Sequence, residues 1–191
     1  MSIKVARQSR ATIEDLYRVP ENGKAELIGG RLVTFMATGK RPSRVSSNIY
    51  LSLRAHEQQS PGGLAVADNA GFIVDLPNRE SFSPDAAWYA GSIGDETNEM
   101  DFYEGAPVFA AEVRSKEDYG KYAEGQMAAK RRDYFAAGTL VVWDVDIRGA
   151  AVVRAYRRDN PDQPVIFRRG EIADAEPAVP GWRMPVDELF R

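Results

Sequence analysis

The sequence predicts a mixed α/β chain, a mixed sheet with helices packed on it. Two stretches, 43–58 and 119–137, carry helical apolar spacing, and short apolar or alternating runs stand before, between and after them. The order along the chain reads α-β-β-α-β-β-β-α-β-β-β, with no internal repeat, low-complexity tract or interdomain linker. At 191 residues, 43% hydrophobic and 28% charged, the chain is long and apolar enough to close one core, so a single domain over 1–191 is expected.

Thr12 reads as an N-cap with Asp15 at the capping-box position, so 13–19 is a short helix that stops before Pro20. Residues 27–36 read as a hairpin turning at Gly29 and Gly30. In 43–58, Val45, Ile49 and Leu53 recur every fourth residue, and Pro61, Gly62 and Gly63 end the helix. Residues 71–76 and 85–90 read as strands joined by a polar turn at Pro77 and Asn78, and 92–105 as an acidic, loop-like insertion. The run 107–115 is a mostly apolar strand, and the helix 119–137 is closed by Gly138. Two strands, 139–147 and 150–157, flank Arg148 and Gly149. A further strand covers 164–169, and a Pro-rich tail ends in a short turn at 186–190.

Composition removes several chemistries. No cysteine is present, which excludes disulfides, thiolate zinc sites and cysteine nucleophiles. His56 is the one histidine, so a Ser-His-Asp triad could run only through it and a histidine-rich metal site is excluded. No apolar run of membrane-spanning length occurs, and the first residues lack a signal-like apolar stretch, so a cytoplasmic protein is expected. The net charge of −3 argues weakly against non-specific nucleic-acid binding, but the charge is unevenly spread. From Asp68 to Glu112 there are ten acidic residues and one basic, and from Arg114 to Arg169 twelve basic and eight acidic. Such asymmetry is either solvated surface or a carboxylate cluster for a cation beside a basic surface for a polyanion.

Residues 84–130 are the chemically informative part. Alternation along 107–115 puts Phe109, Ala111 and Val113 on one face and Val108, Ala110, Glu112 and Arg114 on the other. Glu112 therefore sits in an apolar strand, where a carboxylate must be paired, protonated or bound to a metal. Asp85 follows Pro84 and opens the preceding strand. It either caps that turn or converges with Glu112 on a hard divalent cation. In the next helix, Ala123, Met127, Lys130, Tyr134 and Ala137 share one face. That face should pack on the sheet, and Lys130 in its middle either snorkels to solvent or reaches an anion or water near the carboxylates. Arg131 and Arg132 beside it are expected to face solvent or phosphate. Glu26, before Leu27 and Ile28, is either merely exposed or close enough to orient Lys130 or a metal-bound water.

The ordered series AELIGGRLV, SPDAAWY, APVFAAEVRS and AAKRRDYFAAGTLVVWDVD resembles the Uma-type restriction endonuclease family, a domain family of the PD-(D/E)XK nuclease superfamily. The resemblance runs from about Thr12 to the end of the chain. It implies a restriction-endonuclease-like core, a central mixed sheet flanked by helices, with the site on two strands and one helix. Pro84 and Asp85 match the first half-motif, and Glu112 matches the acidic position of the second. Arg114 stands where lysine is usual, and Lys130 matches the position of a lysine migrated to the next helix. Glu26 matches an upstream acidic position. The family's frequent histidine at the start of the preceding helix is absent, and Lys116 replaces the common proline after the serine.

The resemblance implies a metal-dependent nuclease acting on nucleic acid, with DNA as the expected substrate. Asp85 and Glu112, with the carbonyl after Glu112, would hold Mg²⁺ or Mn²⁺. Lys130 would position the attacking water, and Glu26 would hold Lys130 or complete the metal shell. Arg114 would pair a phosphate or Glu26, and Arg131, Arg132, Arg154, Arg157 and Arg158 are further phosphate candidates. A homodimer through Trp88, Phe102 and Tyr103 is an open expectation. The rivals are a non-catalytic nucleic-acid-binding or regulatory protein that keeps the fold, and a metal-free glycoside hydrolase using two carboxylates.

Overall fold

The computed structural model describes residues 10–20, 23–60, 62–91, 100–150 and 152–191. The helices are α1 (Ile13–Tyr17), α2 (Lys40–Glu57) and α3 (Lys121–Ala136). The strands are β1 (Lys24–Ile28), β2 (Arg31–Phe35), β3 (Leu64–Ala67), β4 (Phe72–Leu76), β5 (Arg79–Phe82), β6 (Ala86–Tyr89) and β7 (Tyr103–Glu104). They continue with β8 (Phe109–Val113), β9 (Val141–Val145), β10 (Val153–Arg157), β11 (Asn160–Phe167), β12 (Ile172–Asp174) and β13 (Arg183–Pro185). A 3-10 turn, Val186–Phe190, closes the chain.

The central sheet runs in the order β11-β10-β9-β8-β6-β3. Within it only β8 and β9 are parallel, and α3 is the crossover that this pairing requires. The architecture is therefore mixed α/β around a central mixed sheet. Alternation along the strands separates two cores. On the first face, Phe109, Ala111 and Val113 of β8 and Trp143 of β9 meet Val45, Ile49 and Leu53 of α2, all part of one buried cluster with Trp182 and Met184. Trp143 stacks on Trp182 at 4.9 Å and meets Phe109 edge-on at 5.3 Å, both favoured aromatic geometries. On the second face, Ala110 and Val142 meet Phe72, Phe82 and Tyr134.

The spacing that predicts α2 is the spacing that buries it: Val45, Ile49 and Leu53 are each fully inaccessible. The helix starts at Lys40 rather than 43, because Pro42 is compatible with a first turn. α1 has the expected capping box, with Thr12 and Asp15 bonded reciprocally. Gly29 (φ 57°) and Gly30 (φ 73°) take the left-handed conformations that a two-residue hairpin turn needs.

Several expectations need correction. The turn at Pro77 and Asn78 joins β4 to β5, not to the strand that starts after Asp85. β5 escapes apolar patterning because it buries Arg79 and Ser81 among polar partners. β3, β12 and β13 are also additional, being only three or four residues long. Part of the acidic insertion is a strand, since β7 pairs in parallel with β4. Asp95, Glu96 and Glu99 of that insertion lie outside the described residues. The aromatics expected to form an interface are used inside the chain. Trp88 is 3% exposed, Phe102 stacks on Tyr17 at 4.3 Å, and Tyr103 on Phe72 at 5.0 Å. Among the described residues no helix is long and apolar enough to cross a membrane.

Candidate active site

A cleft of about 580 Å³ opens on the second face of the central sheet, lined by the β1–β2 hairpin on one side and by α3 on the other. Its floor is the end of β8. Ala86 pairs with Ala111 across the antiparallel β6–β8 ladder, so one step further Asp85 stands opposite Glu112. The Asp85 amide continues the ladder by donating to the Ala111 carbonyl at 3.0 Å. Its carboxylate is fixed from two sides: Oδ2 accepts the Val113 amide at 2.7 Å and Oδ1 accepts Lys24 Nζ at 2.7 Å. Glu112 accepts Lys130 Nζ at 2.9 Å and the Tyr134 hydroxyl at 2.7 Å. Alternation places Glu112 and Ala110 on the same face, and α3 crosses that face, which brings Lys130 and Tyr134 over the carboxylate.

Glu26 is neither exposed nor at the end of a strand. It lies in the middle of β1, 1% exposed, and is held by three groups. Lys130 Nζ lies 2.8 Å from its Oε1, Arg79 Nη1 donates to Oε2 at 2.5 Å, and the Ser83 amide donates at 3.1 Å. Burial raises the pKa of such a carboxyl, but Lys130 and Arg79 outweigh it and hold Glu26 below the ordinary value. Glu112 goes the other way. Burial, with Asp85 and Glu26 adding repulsion, raises its pKa despite Lys130. Burial opposes the Lys130 ammonium, yet Glu112 and Glu26 keep its pKa above the ordinary lysine value. Tyr134 is pushed well up by burial and by its two carboxylate neighbours, so it stays a hydrogen-bond donor.

The site therefore brings Asp85, Glu112, Lys130 and Glu26 together. It also contains four groups that the sequence pattern does not single out for chemistry. Lys24 bridges Asp85 and Asp68 at 2.7 Å each, Arg79 anchors Glu26, and Tyr134 anchors Glu112. The one legible signal for Lys24 is its place two residues before Glu26 on β1, where period-two alternation aims both at one face. Asp68 follows β3, a strand that the sequence does not announce.

The expected helical face is also different. Only Tyr134 of the stripe is buried, while Ala123, Met127, Lys130 and Ala137 are half-buried. Tyr122, Gln126, Met127 and Lys130 of α3 line the cleft instead of packing fully against the sheet. Around the mouth stand Val33, Phe35, Met36 and Tyr122, all among the exposed large hydrophobic side chains.

The arginines divide. Arg114 is 2% exposed and bound to Asp144 (2.7 Å) and Glu124, and it does not pair with Glu26. Its donors are already used, so its place at the usual lysine position is structural in geometry. Arg131 does not face outward: its guanidinium lies over Tyr156 at 3.8 Å and borders the cleft 3.7 Å from Asp144. Arg132 is exposed and does not line the cleft. Arg154 pairs with Asp146. Arg157 is bound to Asp174 and the Glu176 carbonyl, away from Glu112, because it alternates with Val153 and Ala155 onto the first face. Arg158 is exposed. His56 lies 5.7 Å from Trp88, which is in the first-face core, so a triad through it has no place in this cleft.

The donor set suits a hard cation. It consists of carboxylate oxygens without sulfur or imidazole, and among the described residues no group of three or more acidic or histidine side chains surrounds one point. Two carboxylates would leave the remaining positions of such a cation to a main-chain carbonyl and to oxygen ligands from outside the chain.

A family model described as "Putative restriction endonuclease", Uma2, matches residues 12–187. The chain belongs to the Uma2 family. No curated protein matches it. Among solved structures, the Uma2 chain is similar to a protein from Anabaena variabilis ATCC 29413 described as a "putative nuclease belonging to DUF820". The TM-score is 0.71 at 16% identity, covering 94% of this chain and 97% of that one. This likeness shows that the fold extends over nearly the whole Uma2 chain.

Proposed function

We propose that the chain is a metal-dependent nuclease that hydrolyses phosphodiester bonds of nucleic acid, with DNA as substrate and Mg²⁺ or Mn²⁺ as cofactor. The observation that carries this reading is the pairing of Asp85 with Glu112 across β6 and β8 with the Lys130 ammonium on Glu112. Asp85, Glu112 and the carbonyl of Val113 would hold the cation. When bound, the cation supplies a lower pKa to a water and neutralises charge at phosphorus. Lys130 orients that water and stabilises negative charge as it develops on the phosphate oxygens. Glu26, fixed by Arg79 and the Ser83 amide, holds Lys130 in place. Tyr134 fixes the rotamer of Glu112. Arg131 borders the cleft, and its buried Nη1, 3.7 Å from Asp144, has no hydrogen-bond partner among the described residues, so it is the phosphate contact favoured among the basic residues. The apolar mouth suits bases, which stack on aromatic and aliphatic side chains while the backbone runs over the charged floor.

The test is cleavage of end-labelled duplex DNA, single-stranded DNA and RNA, with a chromogenic glycoside as control, each with Mn²⁺ and with excess chelator. Cleavage of a nucleic acid that chelator abolishes supports the reading. Chelator-resistant glycoside hydrolysis would favour the two-carboxylate alternative, and metal binding without cleavage of any substrate would favour a regulatory protein.

A further inference from the structure

Lys24 has no part in the chemistry above, although it occupies one of the two carboxylates. Resting on the metal reading of the site, we propose that the Lys24 ammonium is the metal's built-in competitor. It sits on Asp85 in the metal-free protein, and Asp68 is the carboxylate that receives it when a divalent cation enters.

The two oxygens of Asp85 are not equivalent. Oδ2 accepts the Val113 amide, a bond built into the end of the sheet. Oδ1 faces the cleft, and among the described residues its one donor is Lys24 Nζ at 2.7 Å. A cation bound to Asp85 and Glu112 needs that oxygen, so ammonium and metal compete for one lone-pair position. Without metal the ammonium offsets the repulsion between carboxylates that face one another. With metal it would place two cationic centres on one oxygen, which Coulomb's law opposes at this separation.

Asp68 provides the alternative. Its Oδ1 already lies 2.7 Å from Lys24 Nζ, so the ammonium can leave Asp85 without losing a carboxylate partner. Asp68 is the outer of the two, with its side chain 38% exposed against 21% for Asp85, so the movement is toward solvent. The acceptor is itself held in place. Asp68 Oδ1 also takes the Asn69 amide at 2.7 Å, and Asn69 has a φ of 68°, a conformation that asparagine tolerates and that tightens the turn after β3. A four-carbon stem with three rotatable donors is suited to such a transfer, as a planar guanidinium would not be.

The experiment is calorimetric titration of Mn²⁺ into the full chain and into Lys24→Met, Asp68→Asn and the double variant. Lys24→Met should bind Mn²⁺ roughly tenfold or more tightly than wild type. Asp68→Asn should bind it more weakly, because Lys24 is then confined to Asp85. In the Lys24→Met background the Asp68→Asn change should have little further effect, since Asp68 acts through Lys24. A simple field effect would instead be additive, which the double-mutant cycle separates. Wild-type or weaker affinity in Lys24→Met overturns the proposal, as does an equal effect of Asp68→Asn in both backgrounds. Lys24→Gln, uncharged but able to bridge the carboxylates by hydrogen bonds, replaces the methionine variant if that one fails to fold. Mn²⁺ binding in wild type with no change in the variants removes this inference alone. Absence of Mn²⁺ binding in all four proteins overturns the metal reading with it.

Discussion

The Lys130 ammonium lies 2.8 Å from Glu26, a carboxylate only 1% exposed, and 2.9 Å from Glu112. One cation is thus shared by a purely internal anion and by a carboxylate that faces the cleft. Replacing it with methionine leaves Glu26 with Arg79 and the Ser83 amide but one cation fewer, and costs about 3–5 kcal/mol, the range for breaking a buried pair. Lys130→Met should remove turnover while Mn²⁺ binding persists, because Asp85 and Glu112 remain. A cleavage rate equal to wild type in a folded Lys130→Met protein would remove lysine from the chemistry.

Arg114 should behave differently. It joins β8 to Asp144 of β9 and to Glu124 of α3. Arg114→Met leaves Asp144, also 1% exposed, without its closest partner and should destabilise the fold by about 3–5 kcal/mol. Mn²⁺ affinity should stay within about threefold of wild type, as the metal carboxylates are untouched and the lost charge is already neutralised locally. Chemical denaturation and calorimetry on the same sample check both halves.

Glu26 and Glu112 should give pH dependences of opposite sign in the metal-free protein. The pKa of Glu26 is depressed, so its ionised form contributes stability that is present above the ordinary glutamate value of 4.5 and is lost as pH falls through the folded value. The pKa of Glu112 is raised, so its protonated form contributes stability that is present below 4.5 and is lost as pH rises through the folded value. Glu26→Gln should therefore cost most at neutral pH and least in acid. Glu112→Gln should match or exceed wild type at neutral pH and lose that advantage in acid. Thermal melts of both variants at pH 7 and at pH 4 read the two signs.

The apolar mouth predicts a binding effect separate from catalysis. Tyr122 is 81% exposed and Phe35 41%, on opposite walls of the cleft. Tyr122→Ala and Phe35→Ala should each weaken nucleic-acid binding by about 1–3 kcal/mol if bases stack there. Stability should hardly change in Tyr122→Ala, since that side chain is already solvated, and should fall modestly in Phe35→Ala, whose ring is more than half covered. Fluorescence anisotropy with a labelled oligonucleotide in the Glu112→Gln background, which prevents turnover, measures this directly.

Much of this arrangement is legible in the sequence, for physical reasons that can be named. Val45, Ile49 and Leu53 announce α2 because one face is buried and the other is not. Glu112 stands out as the one charge between Val108 and Val113, and Lys130 as the one charge on its helical stripe. What is not legible is the partner of each charge. Lys24 meets Asp85 across 61 positions and Arg79 meets Glu26 across 53, and nothing local encodes such separations. β5 is invisible for the same reason, since a strand that buries an arginine through ion pairs has no apolar pattern. Residue type alone admits both Arg131 and Arg157 as phosphate contacts, but packing keeps the first at the border of the cleft and takes the second away from it. Aromatic packing turns the first inward over Tyr156, and strand alternation sends the second to the opposite face.

Titration of Mn²⁺ into metal-free wild type, Asp85→Asn and Glu112→Gln by calorimetry tests the metal centre most directly. Wild type should bind with a saturable heat, and each variant, losing one of only two carboxylate ligands, should lose roughly tenfold or more in affinity while its melting transition is retained. Wild-type affinity in both folded variants would show that Asp85 and Glu112 hold no metal.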